Sequence, residues 1–209
     1  MMYTVKEIFY TLQGEGAQAG RSAVFCRFAG CNLWSGREQD RATAQCTFCD
    51  TDFIGVNEDG GKFTTAAALA QRISDTWLGT GGVPYVVFTG GEPLLQLDDG
   101  LIAAMHAVGF EVGVESNGTL PAPAGIDWLC ISPKGSNALV QMCGQELKLV
   151  YPQLNALPES FATLDFEHFY LQPMDSAAQQ SNTAACIRYC MAHPQWQLSL
   201  QTHKLSGIR

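Results

Sequence analysis

The chain has 209 residues, of which 46% are hydrophobic and 15% are charged, and its formal net charge is -8. This length and composition predict one globular domain, residues 1–209, with a full hydrophobic core. So few positive charges leave no broad basic surface for a phosphate backbone, and we expect no nucleic-acid partner. No apolar run approaches the ~18 residues of a membrane span, and the N-terminus lacks the features of a signal peptide. We therefore expect a cytoplasmic protein without a membrane partner.

Short runs rich in β-branched and aromatic residues alternate with helical patterns along the chain. The predicted strands are residues 24–28, 85–89, 110–114, 127–131, 146–151, 168–172 and 196–200. A helical repeat spans residues 69–77, and a second one precedes Gly109. Strands that alternate with helices indicate an α/β fold with a mainly parallel sheet and helices on its outside. Residues 32–45 and 54–63 are predicted to be irregular loops.

Three of the eight cysteines are placed like metal ligands. Cys31, Cys46 and Cys49 follow the first predicted strand, with fourteen residues in the first gap and two in the second. A reducing compartment disfavours disulfides, so metal binding is the better interpretation. Three thiolates would leave one iron of an iron–sulfur cluster without a protein ligand, whereas Cys26 would complete a four-ligand zinc site. The cysteines alone leave both interpretations open. The other cysteines in apolar surroundings are predicted to be buried: Cys130, Cys186 and Cys190.

The second predicted strand ends in a glycine turn, Thr89-Gly90-Gly91-Glu92-Pro93. Two glycines permit close approach of the backbone to a ligand, and the glutamate can accept hydrogen bonds from an ammonium group. By itself such a turn is common. Together with the three cysteines it resembles the radical S-adenosylmethionine superfamily, whose cluster loop follows the first barrel strand and whose Gly-Gly-Glu-Pro turn follows the second. The resemblance implies a partial, mainly parallel (β/α) barrel, abbreviated relative to a full barrel, and favours a cluster over zinc.

The cysteine spacing departs from the usual Cys-x-x-x-Cys-x-x-Cys of that superfamily. Fourteen residues stand where the superfamily has three, which predicts a cluster-loop insertion at about residues 32–45, filled by a short helix or a loop. Phe48 keeps the aromatic residue before the third cysteine, which in the superfamily lies beside the adenine of the cofactor.

Segments along nearly the whole chain are similar to the 7-carboxy-7-deazaguanine synthase family of the queuosine pathway. They are Tyr10–Gly16, Arg27, Cys49–Thr51, Glu115–Gly118, Ser132–Lys134, Gln172–Asp175 and Gln201–Lys204. This resemblance implies a [4Fe-4S] cluster, S-adenosylmethionine and Mg²⁺ as cofactors. It also implies a flavodoxin-like electron donor and a homodimer.

The reaction implied by the resemblance is a radical ring contraction. One electron cleaves cluster-bound S-adenosylmethionine to methionine and a 5′-deoxyadenosyl radical, which abstracts hydrogen from C6 of 6-carboxy-5,6,7,8-tetrahydropterin. The substrate radical rearranges and loses ammonia to give 7-carboxy-7-deazaguanine, so the chain would be a carbon–nitrogen lyase. Because the cofactor supplies the radical, we assign no side chain a catalytic role.

The resemblance also assigns the site residues. Cys31, Cys46 and Cys49 would hold the cluster, and Thr51 would bind Mg²⁺ with help from Asp50 or Asp52. The residues assigned to the substrate are Leu12, Gln13, Gly14, Glu15, Arg27, Thr89, Gly90, His203 and Lys204. The residues assigned to S-adenosylmethionine are Phe48, Asp50, Gly91, Glu92, Glu115, Asn117, Ser132, Pro133, Lys134, Gln172, Pro173, Met174 and Asp175.

Residue chemistry gives each key assignment a simpler alternative. Arg27 lies in an apolar strand and needs an anionic partner, which is either a substrate carboxylate or a strand-end salt bridge. The Thr51 hydroxyl is either a neutral oxygen ligand for Mg²⁺ or a cap on the turn after the cluster. His203 and Lys204 are either ligand-binding residues or a solvated terminal pair.

Two other functions stay open at this point. Another small radical enzyme, such as a glycyl-radical activase, would share the cluster and the Gly-Gly-Glu-Pro turn but not the Gln13–Glu15 turn. A non-catalytic, zinc-stabilised binding module would use Cys26 as its fourth ligand. Product analysis with a tetrahydropterin separates the first from the synthase, and metal analysis after anaerobic preparation separates the second.

Overall fold

The computed structural model describes residues 2–209. The helices that it contains are α1 (Ala66–Thr76), α2 (Asp99–Ala107), α3 (Gln179–Ala192) and α4 (Thr202–Ser206). The strands are β1 (Tyr3–Leu12), β2 (Ser22–Phe28), β3 (Gly61–Phe63), β4 (Tyr85–Gly90), β5 (Glu111–Ser116), β6 (Trp128–Ile131), β7 (Cys143–Tyr151), β8 (Asp165–Pro173) and β9 (Trp196–Leu198). Within residues 2–209, no helix combines the length and the apolar character that crossing a membrane requires.

All nine strands belong to one sheet with the order β3-β1-β2-β4-β5-β6-β7-β8-β9. From β2 to β9 each strand is parallel to its neighbour, whereas β1 pairs antiparallel with both β2 and β3. The two edge strands, β3 and β9, do not pair with each other, so the sheet stays open. The predicted partial, mainly parallel barrel is confirmed, and the carboxyl ends of seven parallel strands share one edge.

The seven predicted strands are the seven parallel strands, and two further strands were missed. In β1 a bulge between Val5 and Glu7 breaks the alternation by which strands are recognised. The prediction of an irregular loop over residues 54–63 is wrong for Gly61–Phe63, which pairs with Tyr3–Val5 of β1. A three-residue edge strand carries too short a pattern to be read from the sequence.

Both predicted helical repeats form helices that cover the outer face of the sheet. Helix α1 buries Leu69 and Ile73, and the Thr65 side chain accepts a hydrogen bond from the third residue beyond it as an N-cap. Trp77 ends this helix and packs edge-on against Tyr10 and Phe110, with ring centroids 5.1 and 5.9 Å apart. The main hydrophobic core therefore lies between the helices and this outer face.

Residue alternation gives the inner face of the sheet a different character. In β7, Leu147 and Leu149 are buried in the main core, whereas Lys148 points to the opposite face and lines a cavity. In β2, Cys26 is likewise in the core while Arg27 lines the cavity. The inner face is therefore rich in polar side chains, although the whole sheet is built from apolar runs.

Candidate active site

A cavity of about 390 Å³ lies at the carboxyl ends of the parallel strands, where ligands bind in sheets of this kind. All nine residues that the sequence assigned to the substrate line this cavity. Ten of the thirteen residues assigned to S-adenosylmethionine also line it, and the other three do not: Glu92, Pro133 and Met174. Cys46, Cys49 and Thr51 line it as well, while Cys31 does not.

The start of the cluster loop and the Gly-Gly-Glu-Pro turn are packed against each other. Cys31 follows β2, and a Cβ atom placed on Gly91 would lie only 2.7 Å from the Cβ atom of Cys31. Only glycine fits at this position, because any larger residue would push the loop away. A backbone hydrogen bond of 3.0 Å from Glu92 N to Gly30 O joins the same two segments. The two motifs that the sequence singled out therefore form one local unit.

The donor set fits an iron–sulfur cluster better than a single zinc ion. In the part of the chain that the structure describes, no three His, Cys, Asp or Glu side chains are arranged to hold one metal ion. A [4Fe-4S] cubane instead binds each thiolate through a different iron, so its ligands lie further apart. Cys26 is in the core on the opposite face of β2, and burial raises the pKa of its thiol. The alternative of a zinc site completed by Cys26 is therefore wrong.

The thiols of the Cys-x-x-Cys turn interact with each other. A hydrogen bond from Cys46 lowers the pKa of Cys49 to about 6 and raises the pKa of Cys46 itself. Burial raises the pKa of the Cys31 thiol. Since the thiolate is the form that binds metal, this lowered pKa favours Cys49 as a metal ligand at neutral pH.

The residues between Cys31 and Cys46 fold back onto the Cys-x-x-Cys turn. They contain a 3-10 helix, Glu38–Thr43, in the position where the sequence predicts a short helix or loop. The guanidinium of Arg41 donates to the carbonyl oxygens of Thr47 and Cys49, at 3.1 and 3.0 Å. The same guanidinium stacks on the ring of Trp34, 4.1 Å from its centroid. The insertion therefore holds the backbone of the turn from outside.

Glu92 links the glycine turn to the end of β5. Its side chain is fully buried, and its carboxylate accepts hydrogen bonds from Leu94 N (2.9 Å), Ser116 Oγ (2.8 Å) and Asn117 N (2.8 Å). Burial raises the pKa of Glu92. Since Asn117 lines the cavity, Glu92 fixes a residue that faces the ligand space. Direct contact of Glu92 with the amino group of the cofactor stays a prediction.

A group of paired charges lines the cavity. Lys148 Nζ binds Glu15 Oε2 at 2.6 Å and Glu115 Oε1 at 3.2 Å. Gln13 Nε2 donates to Glu115 at 3.0 Å, and Gln201 Nε2 donates to Glu15 at 3.0 Å. Burial opposes ionisation of Glu15, but the charge and hydrogen bond of Lys148 lower its pKa. The sequence analysis missed Lys148, although a lysine that alternates with leucines in a strand was a usable signal.

Arg27 has the strand-end salt bridge that the sequence left as an alternative. Its Nε donates to Glu7 Oε1 at 2.9 Å, while Glu7 Oε2 binds Arg209 Nη2 at 3.0 Å. Within residues 2–209, the two terminal nitrogens of Arg27 make no hydrogen bond, and the residue lines the cavity. The salt bridge therefore orients Arg27 through Nε and leaves the two terminal nitrogens of the guanidinium, its fork, free for a ligand. Glu7 and Arg209 were also missed by the sequence analysis.

The C-terminal helix α4 closes one side of the cavity. Lys204 Nζ binds Asp50 Oδ2 at 2.6 Å and Asp175 Oδ2 at 2.5 Å. Thr202 N donates to Gly14 O at 2.9 Å, and the ring of His203 packs so closely on Gly14 that a side chain there would collide with it. His203 and Lys204 therefore form part of the cavity wall, while Lys204 also stays exposed to solvent.

Thr51 lies at the cavity with its hydroxyl unused. Among residues 2–209 that hydroxyl has no hydrogen-bond partner, so the structure does not show the turn cap that was the alternative. Asp52 is bound by Lys6 Nζ at 2.9 Å, and Asp50 is bound by Lys204. The carboxylates of Asp50 and Asp52, on either side of Thr51, therefore each form a salt bridge with a lysine.

The partial parallel barrel, the three cysteines of one loop and the adjoining Gly-Gly-Glu-Pro turn define a radical S-adenosylmethionine enzyme. Residues 39–145 match the family model of the Radical SAM superfamily. A Caulobacter vibrioides relative named 7-carboxy-7-deazaguanine synthase is 63% identical over 209 residues and is covered over 100% of both chains. A Bordetella pertussis relative of the same name is 64% identical with the same coverage. The chain belongs to the 7-carboxy-7-deazaguanine synthase family.

A solved structure agrees with this assignment. The crystal structure of QueE from Escherichia coli matches with a TM-score of 0.71 and 28% sequence identity, covering 97% of this chain and 95% of that chain. The similarity therefore extends over nearly the whole length of both chains.

Proposed function

We propose that this chain converts 6-carboxy-5,6,7,8-tetrahydropterin to 7-carboxy-7-deazaguanine, with loss of ammonia, in queuosine biosynthesis. The observation that carries the proposal is one cavity lined by two chemically different groups of side chains. Cys46 and Cys49 form the first group, called here the cluster end, and the free terminal nitrogens of Arg27 with the polar pair Gln13 and Glu15 form the second, called here the substrate end. The full-length identity to relatives of that name supports the same reaction.

At the cluster end, Cys31, Cys46 and Cys49 would hold a [4Fe-4S] cluster. When bound, the cluster and S-adenosylmethionine supply the one-electron chemistry that generates a hydrogen-abstracting radical. The chain would position the cofactor through the backbone of Gly91 and the side chain of Asn117. Both lie at the carboxyl ends of β4 and β5, where their backbone is fixed by hydrogen bonds.

At the substrate end, the arginine fork and the polar turn match the two ends of a pterin acid. Arg27 can donate two parallel hydrogen bonds to the substrate carboxylate, because Glu7 takes only its Nε. Gln13 and Glu15 present an amide and a carboxylate to the aminopyrimidinone edge, which carries both donors and acceptors. His203 and Lys204 would exclude water from this end.

We assign Mg²⁺ to the hydroxyl of Thr51. The support is its free hydroxyl at the cavity and the engagement of Asp50 and Asp52 with lysines. Mg²⁺ keeps several waters and takes its remaining ligands from carboxylates or substrates. The ion would therefore bind well only when the substrate carboxylate is present, and would orient the pterin.

A flavodoxin-like electron donor and a homodimer complete the proposal. Both are properties expected from the family. Several large apolar side chains are largely exposed, as expected for a chain that makes protein contacts: Leu78, Leu154, Met191 and Leu205. Analytical ultracentrifugation of the anaerobically prepared protein measures the oligomer, and a monomer at micromolar concentration would contradict the dimer.

The reaction itself is tested by anaerobic reconstitution with iron and sulfide. The reconstituted protein is supplied with S-adenosylmethionine and a reductant, with and without the tetrahydropterin. We expect 5′-deoxyadenosine and 7-carboxy-7-deazaguanine in the complete mixture, and little 5′-deoxyadenosine without the pterin. Cofactor cleavage without conversion of the pterin would contradict the proposal and favour another radical enzyme, such as a glycyl-radical activase.

A further inference from the structure

Lys148 is a buried cation in the middle of an inner sheet face that the sequence analysis did not single out. Its side chain is 5% exposed, and its partners come from two other segments: Glu15 from the turn after β1 and Glu115 from the end of β5. All three residues line the cavity. They therefore meet at the ligand space and not inside the hydrophobic core.

This charge group is not needed for packing. Burying a lysine with two carboxylates removes three charges from water, and a well-packed apolar side chain in its place is often as stable or more stable. On the opposite face of β7, the apolar side chains of Leu147 and Leu149 are packed in the main core. A buried charge group at a cavity is better explained by a ligand that needs it.

The other titratable or charged groups around this set do not replace Lys148. Burial raises the pKa values of Glu146, Cys130, Tyr85 and Tyr170, and none of these side chains can supply a positive charge in place of Lys148. Six titratable or charged side chains surround Lys148, Glu15 and Glu115: Arg21, Tyr85, Cys130, Glu146, Tyr170 and His203. Of these Arg21 is a permanent cation, but it pairs with Glu111.

We infer that Lys148 is a positioning residue that holds Glu15 and Glu115 in place as paired hydrogen-bond acceptors for the N–H donors of the pterin ring. This inference rests on the proposed function. It reassigns Glu115 from cofactor binding to substrate binding. Glu115 binds the same lysine as Glu15 and accepts a hydrogen bond from Gln13, and Glu15 and Gln13 are both assigned to the substrate.

The consequence for binding follows from charge. An aminopyrimidinone edge offers N–H donors, which bind a carboxylate well and a protonated carboxyl group poorly. Without Lys148, the two carboxylates would repel each other, and Glu15, the more buried of the two, would lose the cation that lowers its pKa and would take up a proton more readily. In a variant without Lys148, the affinity for the pterin should therefore rise with pH as this carboxyl group loses its proton. The parent enzyme should not show this dependence in the same pH range.

The test is Lys148→Met in the reconstituted holoenzyme, with steady-state kinetics from pH 6 to pH 9. We expect the KM for the tetrahydropterin to rise about ten- to hundredfold at pH 7 and to fall again toward pH 9. Iron content and S-adenosylmethionine affinity should stay at the parent values. Lys148→Arg should restore most of the affinity, because it restores the charge. Lys62→Met removes an exposed lysine of β3 and serves as the matched control.

Two results would overturn the inference. One is a pterin KM in Lys148→Met that equals the parent value, and the other is a KM that rises by the same factor at every pH, as a purely structural role would produce. If Lys148→Met does not fold, Glu115→Gln decides. It leaves the Lys148–Glu15 pair intact, so KM should rise several-fold without new pH dependence, and an unchanged KM overturns the inference. A parent enzyme that does not convert the pterin would instead contradict the proposed function.

Discussion

At the scale of single residues, Arg27 shows how one side chain is oriented by the fold and left free for a ligand. Glu7 holds the Nε atom, and Arg209 holds the other oxygen of Glu7. The guanidinium is therefore fixed in the cavity wall, and its two terminal nitrogens have no hydrogen-bond partner among residues 2–209. Such preorganisation reduces the entropy cost of binding a carboxylate.

Replacing Arg27 should affect the substrate and not the cofactor. We expect Arg27→Ala to raise the pterin KM about ten- to hundredfold, because a charge-assisted bidentate contact is lost. Arg27→Lys should recover little, since an ammonium cannot reproduce the two parallel bonds. Titration of the reconstituted protein with S-adenosylmethionine should give the parent affinity. Arg72→Ala, on the outer helix α1, is the control; loss of cofactor binding in Arg27→Ala would contradict the assignment.

Thr51 is the second residue whose role can be isolated. We expect Thr51→Ala to lower turnover and to reduce its stimulation by added Mg²⁺, because the hydroxyl ligand is lost while the cluster ligands remain. The iron content of Thr51→Ala shows whether the cluster still binds, and it should equal that of the parent. Thr80→Ala, in an exposed loop, controls for removal of a threonine. Equal Mg²⁺ stimulation in Thr51→Ala and the parent would show that the ion lies elsewhere.

At the scale of elements, the insertion between Cys31 and Cys46 acts as an outer support of the cluster loop. Arg41 joins the 3-10 helix to two carbonyl oxygens of the Cys-x-x-Cys turn and stacks on Trp34. Trp34 in turn packs edge-on against Phe53, with ring centroids 5.6 Å apart. These contacts fix the turn backbone through protein groups alone.

Loss of this support should appear in cluster assembly. We expect Arg41→Ala to retain less iron and sulfide per chain than the parent after identical anaerobic reconstitution, because the turn must then be ordered at the expense of cluster binding. Arg37→Ala is the matched control, since the side chain of Arg37 makes no hydrogen bond within residues 2–209. Full iron content in Arg41→Ala would show that the insertion is not needed to order the turn.

At the scale of the whole molecule, buried carboxylates make stability depend on pH in two opposite ways. Burial favours protonation of Glu7, but its hydrogen bonds to Arg27 and Arg209 lower its pKa. Its contribution to stability is therefore present above the pKa of the unfolded chain, about 4.3, and is lost as the pH falls through the lower folded value. Burial raises the pKa values of Glu92 and Glu146, so ionisation of these two groups costs stability as the pH rises from the unfolded value of about 4.3 through their higher folded values.

The contribution of Glu7 can be separated by mutation. We expect the free energy of unfolding of metal-free Glu7→Gln to lie below that of the parent at pH 7, and the difference to shrink by pH 3.5. Urea unfolding at the two pH values measures both quantities. Glu167→Gln, an exposed glutamate of β8, controls for the loss of one charge. A difference between Glu7→Gln and the parent that grows toward acid pH would contradict the sign of this argument.

Local patterns in the sequence were sufficient for the radical S-adenosylmethionine class, for the glycine turn and for the seven parallel strands. A Cys-x-x-Cys pair is close in space because it is close in the chain, and an apolar run in a parallel sheet is buried on both sides. The same reasoning failed for β1, since its bulge between Val5 and Glu7 breaks the pattern.

The tertiary structure alone decided which distant side chains share the cavity. Glu15 lies 133 residues from Lys148 and 186 from Gln201, and Glu7 lies 202 residues from Arg209. These contacts depend on strand register and on the docking of α4, which a local pattern does not encode. The sequence by itself thus determined the class of chemistry at the cluster end, while the tertiary structure determined how the charges at the substrate end are paired.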